Sequence, residues 1–244
     1  MKIGKITYGS QSSNEFGLIV AGAGTFNPAL PDMTAYSVPG KNGDVVLDNH
    51  RYKNIDVRYP GFIADAFIGN AQGIRNWILS GKEYKVLSDN FDTTHFRLAI
   101  GKDVSFSPVN ENKAANMSIT FNCKPQRFLV SGTTGVTITT SAILENPTGF
   151  EARPRITIID AAQGATITFT KPGYTTIITA IEDMTDYAVI IDSEAMTISD
   201  LYTHENLADK FNISNGLPVL KSGQTSVTCS GVSSASLRPR WWEL

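Results

Sequence analysis

Three histidines, His50, His95 and His204, are the residues best suited to metal binding or general-base work. None has a second histidine at i+2 or i+4, so a zinc or non-haem iron site would need ligands from distant segments. Cys123 and Cys229 sit in alternating stretches with no histidine or second thiol at ligand spacing, and are predicted to be buried, reduced thiols. Paired carboxylates are the strongest catalytic temptation. Asp183 with Asp186, and Asp192 with Glu194, could flank a glycosidic bond from adjacent strands. Both pairs lie in turn-like sequence, where short carboxylates bond the backbone instead. No serine carries the glycine pattern of a nucleophile elbow. The expectation is no catalytic residue, no metal and no cofactor.

A phosphate cradle needs glycines followed by a Lys or Ser/Thr that opens a helix. Gly40-Lys41-Asn42-Gly43 runs instead into Asp44-Val45-Val46-Leu47-Asp48, whose carboxylates repel phosphate and whose branched residues favour a strand. Asn42-Gly43 therefore predicts a two-residue hairpin turn, flanked by Tyr36 and Val38 on one side and Val45 and Leu47 on the other. Asp48-Asn49-His50-Arg51 predicts a second turn close behind it.

The elements that must carry these residues are mostly short strands. Lys5–Tyr8, Phe16–Val20, Tyr84–Leu87 and Phe96–Ile100 read as strands, and Asn116–Cys123 alternates so that Met117, Ile119, Phe121 and Cys123 share a face before Lys124-Pro125 ends it. One helix interrupts them, from about Asn70 to Ser80, with Phe67, Ala71, Ile74, Trp77 and Ile78 on a stripe, Trp77 its anchor and Gly81 its left-handed stop. The stretch from Val130 to Gly149 has the Gly/Ser/Thr composition of a domain junction that crosses over as a strand. Further strands follow at 156–159, 165–170, 176–178, 187–192, 196–198, 226–229 and 237–244, with turns expected at Gln163-Gly164, Pro172-Gly173, Asn215-Gly216 and Ser222-Gly223. Trp241 and Trp242, adjacent in the last strand, must point to opposite faces, one to the core and one outward. The fold class expected is mainly β: an N-terminal β-sandwich with one α-helix over 1–131, then a jelly-roll sandwich over 132–244.

With 244 residues, 41% of them hydrophobic and 18% charged, the chain can bury two cores, and its thin charge suggests a surface largely covered by partners. A net charge of −2 without a basic run excludes a protein built to grip nucleic acid. The N-terminus lacks the apolar core of a signal peptide and no stretch is long enough to span a membrane, so synthesis in a cytosol without membrane insertion is expected.

Five segments in this order resemble the distal tail proteins (Dit) of long-tailed phages of Gram-positive bacteria: "VPGKNGDVVLDNHRYKN" from Val38, "IRNWILSGKEYKVLSDN" from Ile74, "HFRLA" from His95, "ITFNCKPQ" from Ile119 and the closing "LRPRWWEL". They hold Pro39, Gly40, Asn42, Gly43, Asp48, Arg51, Tyr52, Trp77, Trp241 and Trp242, expected as structural rather than catalytic residues. The resemblance implies a galectin-like C-terminal sandwich and a homo-hexameric ring in the virion. That ring would join the tail tube to the tail-tip hub, contact receptor-binding or other baseplate proteins, and pass DNA through its channel without specific binding. It also casts Asp48–Arg51 as a tight return after the hairpin. The competing classes are a carbohydrate-binding module and a sugar-cleaving enzyme. The galectin pattern of His, Asn, Arg and Trp is not assembled here: His204 and Asn206 share one loop-like run, and Trp241-Trp242 lacks the motif's glutamate. A galectin-like shape without galectin binding is therefore expected.

Overall fold

The structure is a computed structural model describing residues 4–22 and 24–244; Met1–Ile3, the start of the segment expected to lack a signal peptide, and Ala23 lie outside the described residues. The chain divides into two compact units, residues 1–127 with Leu244, and residues 128–243. Among the described residues no helix is long and apolar enough to cross a membrane.

The first unit contains β1 (Ile6–Tyr8), β2 (Gln11–Ser12), β3 (Leu18–Val20), β4 (Pro31–Tyr36), β5 (Val45–Tyr52), β6 (Ile55–Ile63), α1 (Phe67–Leu79), β7 (Lys85–Asp89), β8 (His95–Val109) and β9 (Ala114–Leu129), whose last two residues, Phe128 and Leu129, fall in the second unit. Its main sheet runs β2-β1-β7-β8-β9-β6-β3, and β4 with β5 form a separate two-stranded sheet. The alternation of Met117, Ile119, Phe121 and Cys123 becomes one buried row, which meets Ile6, Tyr8, Leu18, Val57 and the apolar stripe of α1 in a single core. Trp77 is 5% exposed, donates its indole N–H to the Tyr8 carbonyl at 3.0 Å and stacks on Phe16 at 5.2 Å. The helix starts one turn earlier than its glycines suggest, because burying Phe67 offsets the low propensity of Gly69 and Gly73. Gly81 is not its left-handed stop: Ser80 caps the helix in right-handed geometry, its N–H bonding the Asn76 carbonyl at 3.1 Å. Nor does Pro125 end β9, which continues to Leu129.

The second unit contains β10 (Val136–Ile138), β11 (Ser141–Asn146), β12 (Arg155–Lys171), β13 (Tyr174–Ala180), β14 (Met184–Asp192), β15 (Thr197–Asp200), β16 (Phe211–Ile213) and β17 (Gly223–Arg238). Its plan rests on β12 and β17, which pair along almost their whole length and serve two layers. Their one half joins β10, β14 and β15, and their other half joins β11, β13 and β16. The layers close on Ile156, Ile158, Ile167, Phe169, Ile191, Val227 and Leu237. Gln163-Gly164, expected as a turn, is the bulge in β12 where the ladder to β17 shifts between Ala161 and Thr166. Gly231 faces the bulge at φ 73°, and a Cβ there would lie 3.0 Å from Ala165, so the bend requires glycine. The stretch expected as a junction is part of this unit, since Ile138 and Leu144 in β10 and β11 are buried in its core. The last expected strand is broken: β17 stops at Arg238, Pro239 follows, and Arg240 takes φ 60°.

Candidate functional site

One member of each candidate carboxylate pair, and His95, is engaged in structural bonds. Asp183 accepts from the Thr185 N–H and hydroxyl at 3.1 and 3.0 Å. Asp192 accepts both Arg240 guanidinium nitrogens at 2.7 Å and the N–H groups of Glu194 and Ala195 at 3.0 Å; burial works to raise its pKa, but these bonds prevail and lower it. Neither forms a pair free to flank a sugar. His95 Nδ1 lies 2.9 Å from Asp92 Oδ2, which also accepts from Arg127 at 2.5 Å. Burial would raise the Asp92 carboxyl, yet bonds from Thr94 and Arg127 and the nearness of His95 bring it down to about 2. This cluster joins groups 35 residues apart in sequence, so spacing along the chain gave no sign of it. No group of three His, Cys, Asp or Glu residues among those described could hold a metal. Desolvation pushes the Cys123 thiol up to about 12 and Cys229 to about 11, which suits inert core residues.

Among the described residues the β4–β5 hairpin gathers six exposed apolar residues that internal packing does not explain. Its register pairs Tyr36 with Val45, Ala35 with Val46, Thr34 with Leu47 and Met33 with Asp48. Opposed residues share a face and successive ones alternate. One face therefore presents Tyr36, Val45 and Leu47, and the other Met33, Ala35 and Val46. Met33, Tyr36, Val38, Val45, Val46 and Leu47 are 41–57% exposed. A lone two-stranded ribbon is marginal in water, and one that is apolar on both faces is more so.

The hairpin corrects two expectations. Tyr36 and Val45 close an eight-residue loop, Ser37–Asp44, and not a two-residue turn at Asn42-Gly43. Gly40 and Gly43 take φ 80° and 81°, whereas Asn42 keeps negative φ and so cannot form the turn its pair with Gly43 suggested. Pro39, within the loop, has no N–H to offer a ladder. Asp48–Arg51 is no return turn either. Pro31 pairs with Tyr52 and Met33 with Asp48, so Asn49, His50 and Arg51 bulge opposite Asp32 alone. His50 sits at φ 53°, its N–H bonded to Asp48 Oδ1 at 2.8 Å.

The expected structural residues thus separate. Pro39, Gly40, Asn42, Gly43, Asp48, Arg51 and Tyr52 belong to the hairpin, Trp77 to the first core, and Trp241 and Trp242 to the second unit. Trp241 is 6% exposed in that core, while Trp242 stacks on Phe150 at 4.5 Å and donates to the Glu151 carbonyl at 2.9 Å. Asp32 carries no signal in the sequence, because its partner Arg51 lies 19 residues along the chain.

No protein-family model and no curated protein matches this chain. Among solved structures it is similar to the crystal structure of the Dit protein (gp 19.1) of phage SPP1, described as a paradigm of the hub adsorption apparatus in phages infecting Gram-positive bacteria. The match covers 97% of this chain and 98% of that one with a TM-score of 0.73, at 10% sequence identity. The fold is that of Dit. The likeness to Dit spans both units.

Proposed function

We propose that this chain is a structural subunit of a phage tail: a distal tail protein that assembles as a homo-hexameric ring in the virion. The ring joins the tail tube to the tail-tip hub and leaves a channel through which DNA passes without specific binding. The carrying observation is the β4–β5 hairpin, apolar on both faces and exposed, within a chain that has the Dit fold. A second copy of the same chain is the occupant a ring supplies, through a head-to-tail contact whose rotation closes. Residues 1–131 form the ring, and residues 132–244 serve as a galectin-like docking arm for receptor-binding or other baseplate proteins. The chain is not an enzyme, in keeping with carboxylates already committed to turns and ion pairs. It is made in the cytoplasm of the infected host.

Light scattering and native mass spectrometry of the purified protein test this reading. Closed particles of six chains are expected, and a monomer throughout the micromolar range overturns it. Calorimetry with lactose and with host wall saccharides should show no saturable binding below about millimolar Kd.

A further inference from the structure

The hairpin strands hold one buried residue, with Thr34 and Tyr52 half-buried and the rest exposed. Asp32 is 5% exposed, while its neighbours Pro31 and Met33 and nearly all of β5 lie open. Its carboxylate accepts from Arg51 Nε at 2.7 Å and lies 3.2 Å from Lys53 Nζ. The Arg51 bond, then the Lys53 bond, hold its pKa below the usual carboxylate range. The two cationic side chains are 74% and 58% exposed, so the carboxylate is covered by a thin polar layer and not by the core. The ion pairs therefore add little to global stability. What they do is geometric.

Asp32 stands where the chain changes character. Before it, the entering segment is fastened to the first unit. Thr25 donates to Asp89 at 2.8 Å, the buried Arg97 donates to the Asn27 carbonyl at 2.7 Å, and Ala29 is 4% exposed. After it, from Met33 onward, the ribbon projects. On the returning strand the Lys53 N–H bonds the Leu30 carbonyl at 3.0 Å, so the two strands are joined to each other just below the bulge. A bulge bends and twists a ribbon, and three residues opposed to one leave the bend angle open unless something ties them. Here Asn49 donates to the Thr34 hydroxyl at a long 3.3 Å, and the closer tie is the Asp32 carboxylate, which reaches Arg51, the last residue of the bulge, and Lys53 beyond it.

We propose that Asp32 is a positioning residue for assembly: held by Arg51 and Lys53, it fixes the direction in which the apolar hairpin leaves the N-terminal unit. The inference rests on the reading of the chain as a ring subunit. In a head-to-tail assembly the rotation between neighbours decides whether the array closes or runs on as an open filament. A ribbon whose base can swing delivers the same apolar contacts at a spread of rotations. Asp32 thus governs closure and homogeneity rather than the presence of sticky surface.

The test compares the native chain with Asp32→Asn, Asp32→Glu and the double variant Arg51→Gln/Lys53→Gln, by native mass spectrometry, negative-stain imaging and thermal unfolding. Asp32→Asn keeps the unfolding midpoint within a few degrees but loses the uniform ring, with open or smaller species and at least tenfold weaker assembly. The double variant reproduces the defect, and Asp32→Glu restores part of it. Uniform rings in both Asp32→Asn and the double variant overturn the proposal while leaving the ring reading intact. A native chain that never assembles sinks the ring reading, and the positioning claim is then decided by a second measurement. Spin labels at Lys41→Cys in the hairpin loop and Lys82→Cys beyond α1, with labelled chain diluted into unlabelled, give a distance distribution within the N-terminal unit. It is narrow in the native background and at least twice as wide with Asp32→Asn; equal widths overturn the claim whatever the oligomeric state.

Discussion

Two hairpins in this chain begin from similar sequence and end differently. In β12–β13, Lys171 pairs with Tyr174 around Pro172-Gly173, and Ile167, Phe169 and Ile178 are at most 2% exposed while Thr168 and Thr175 face outward. In β4–β5 the strands are as rich in apolar and branched residues, yet both faces carry them and neither face is covered. Alternation on one face is what a sheet needs when its own chain supplies the other half of the core. Apolar residues on both faces, left exposed, demand cover from elsewhere. The two ribbons differ in how their apolar residues are distributed, and on the proposed reading also in where their partner surface comes from.

The largest effects should come from the side whose partner is internal. Phe169→Ala empties a site that is 0% exposed, and Trp77→Ala removes a 5% exposed indole together with its hydrogen bond to Tyr8. Each should cost about 3–5 kcal/mol in denaturant unfolding. A loss below about 1 kcal/mol at Trp77 would mean that α1 does not close the first core.

A smaller effect is expected from the Asp92 cluster. Its carboxyl is held near 2 against an ordinary 3.8, so its contribution is full above pH 4 and fades as pH falls toward 2. The shift corresponds to roughly 1–2 kcal/mol once solvent screening is allowed for. Asp92→Asn should lower stability by about that amount at pH 7 and flatten the acid limb of the stability curve between pH 4 and 2. An unchanged acid limb would show that other carboxylates set it.

How far the sequence could be read follows the same division. The row Met117-Ile119-Phe121-Cys123 and the stripe Phe67-Ala71-Ile74-Trp77-Ile78 were legible because period 2 and period 3.6 are imposed by burial within one chain. Gln163-Gly164 misled because a glycine at positive φ serves a turn and a bulge equally: Gly164 has φ 81°, Gly173 has φ 76°, and only pairing partners far along the chain tell them apart. Asn42-Gly43 misled for a related reason, since the register is set by Tyr36 and Val45 while the loop merely spans between them. Asp32 and the Asp92–His95–Arg127 cluster were illegible because their meaning lies in partners 19 and 35 residues away.

The smallest effect on folding, and the sharpest on the comparison, should come from the hairpin itself. Val46 and Leu47 are 57% and 53% exposed and lie on opposite faces. Since neither packs on a core, Val46→Thr and Leu47→Thr should each change unfolding free energy by no more than about 0.5 kcal/mol. Threonine keeps the branched shape a strand prefers while removing much of the apolar surface, so a change in particle size reports on contacts made by that face. If the ribbon is inserted between surfaces of neighbouring copies, both variants weaken assembly by a comparable factor. If it lies against a single surface, one variant weakens assembly and the other behaves as native, and the doubly apolar face would then need a second partner from outside the ring. Should both leave the particle unchanged, the contrast with β12–β13 would lose its meaning, because an exposed apolar ribbon would be making no contact that counts.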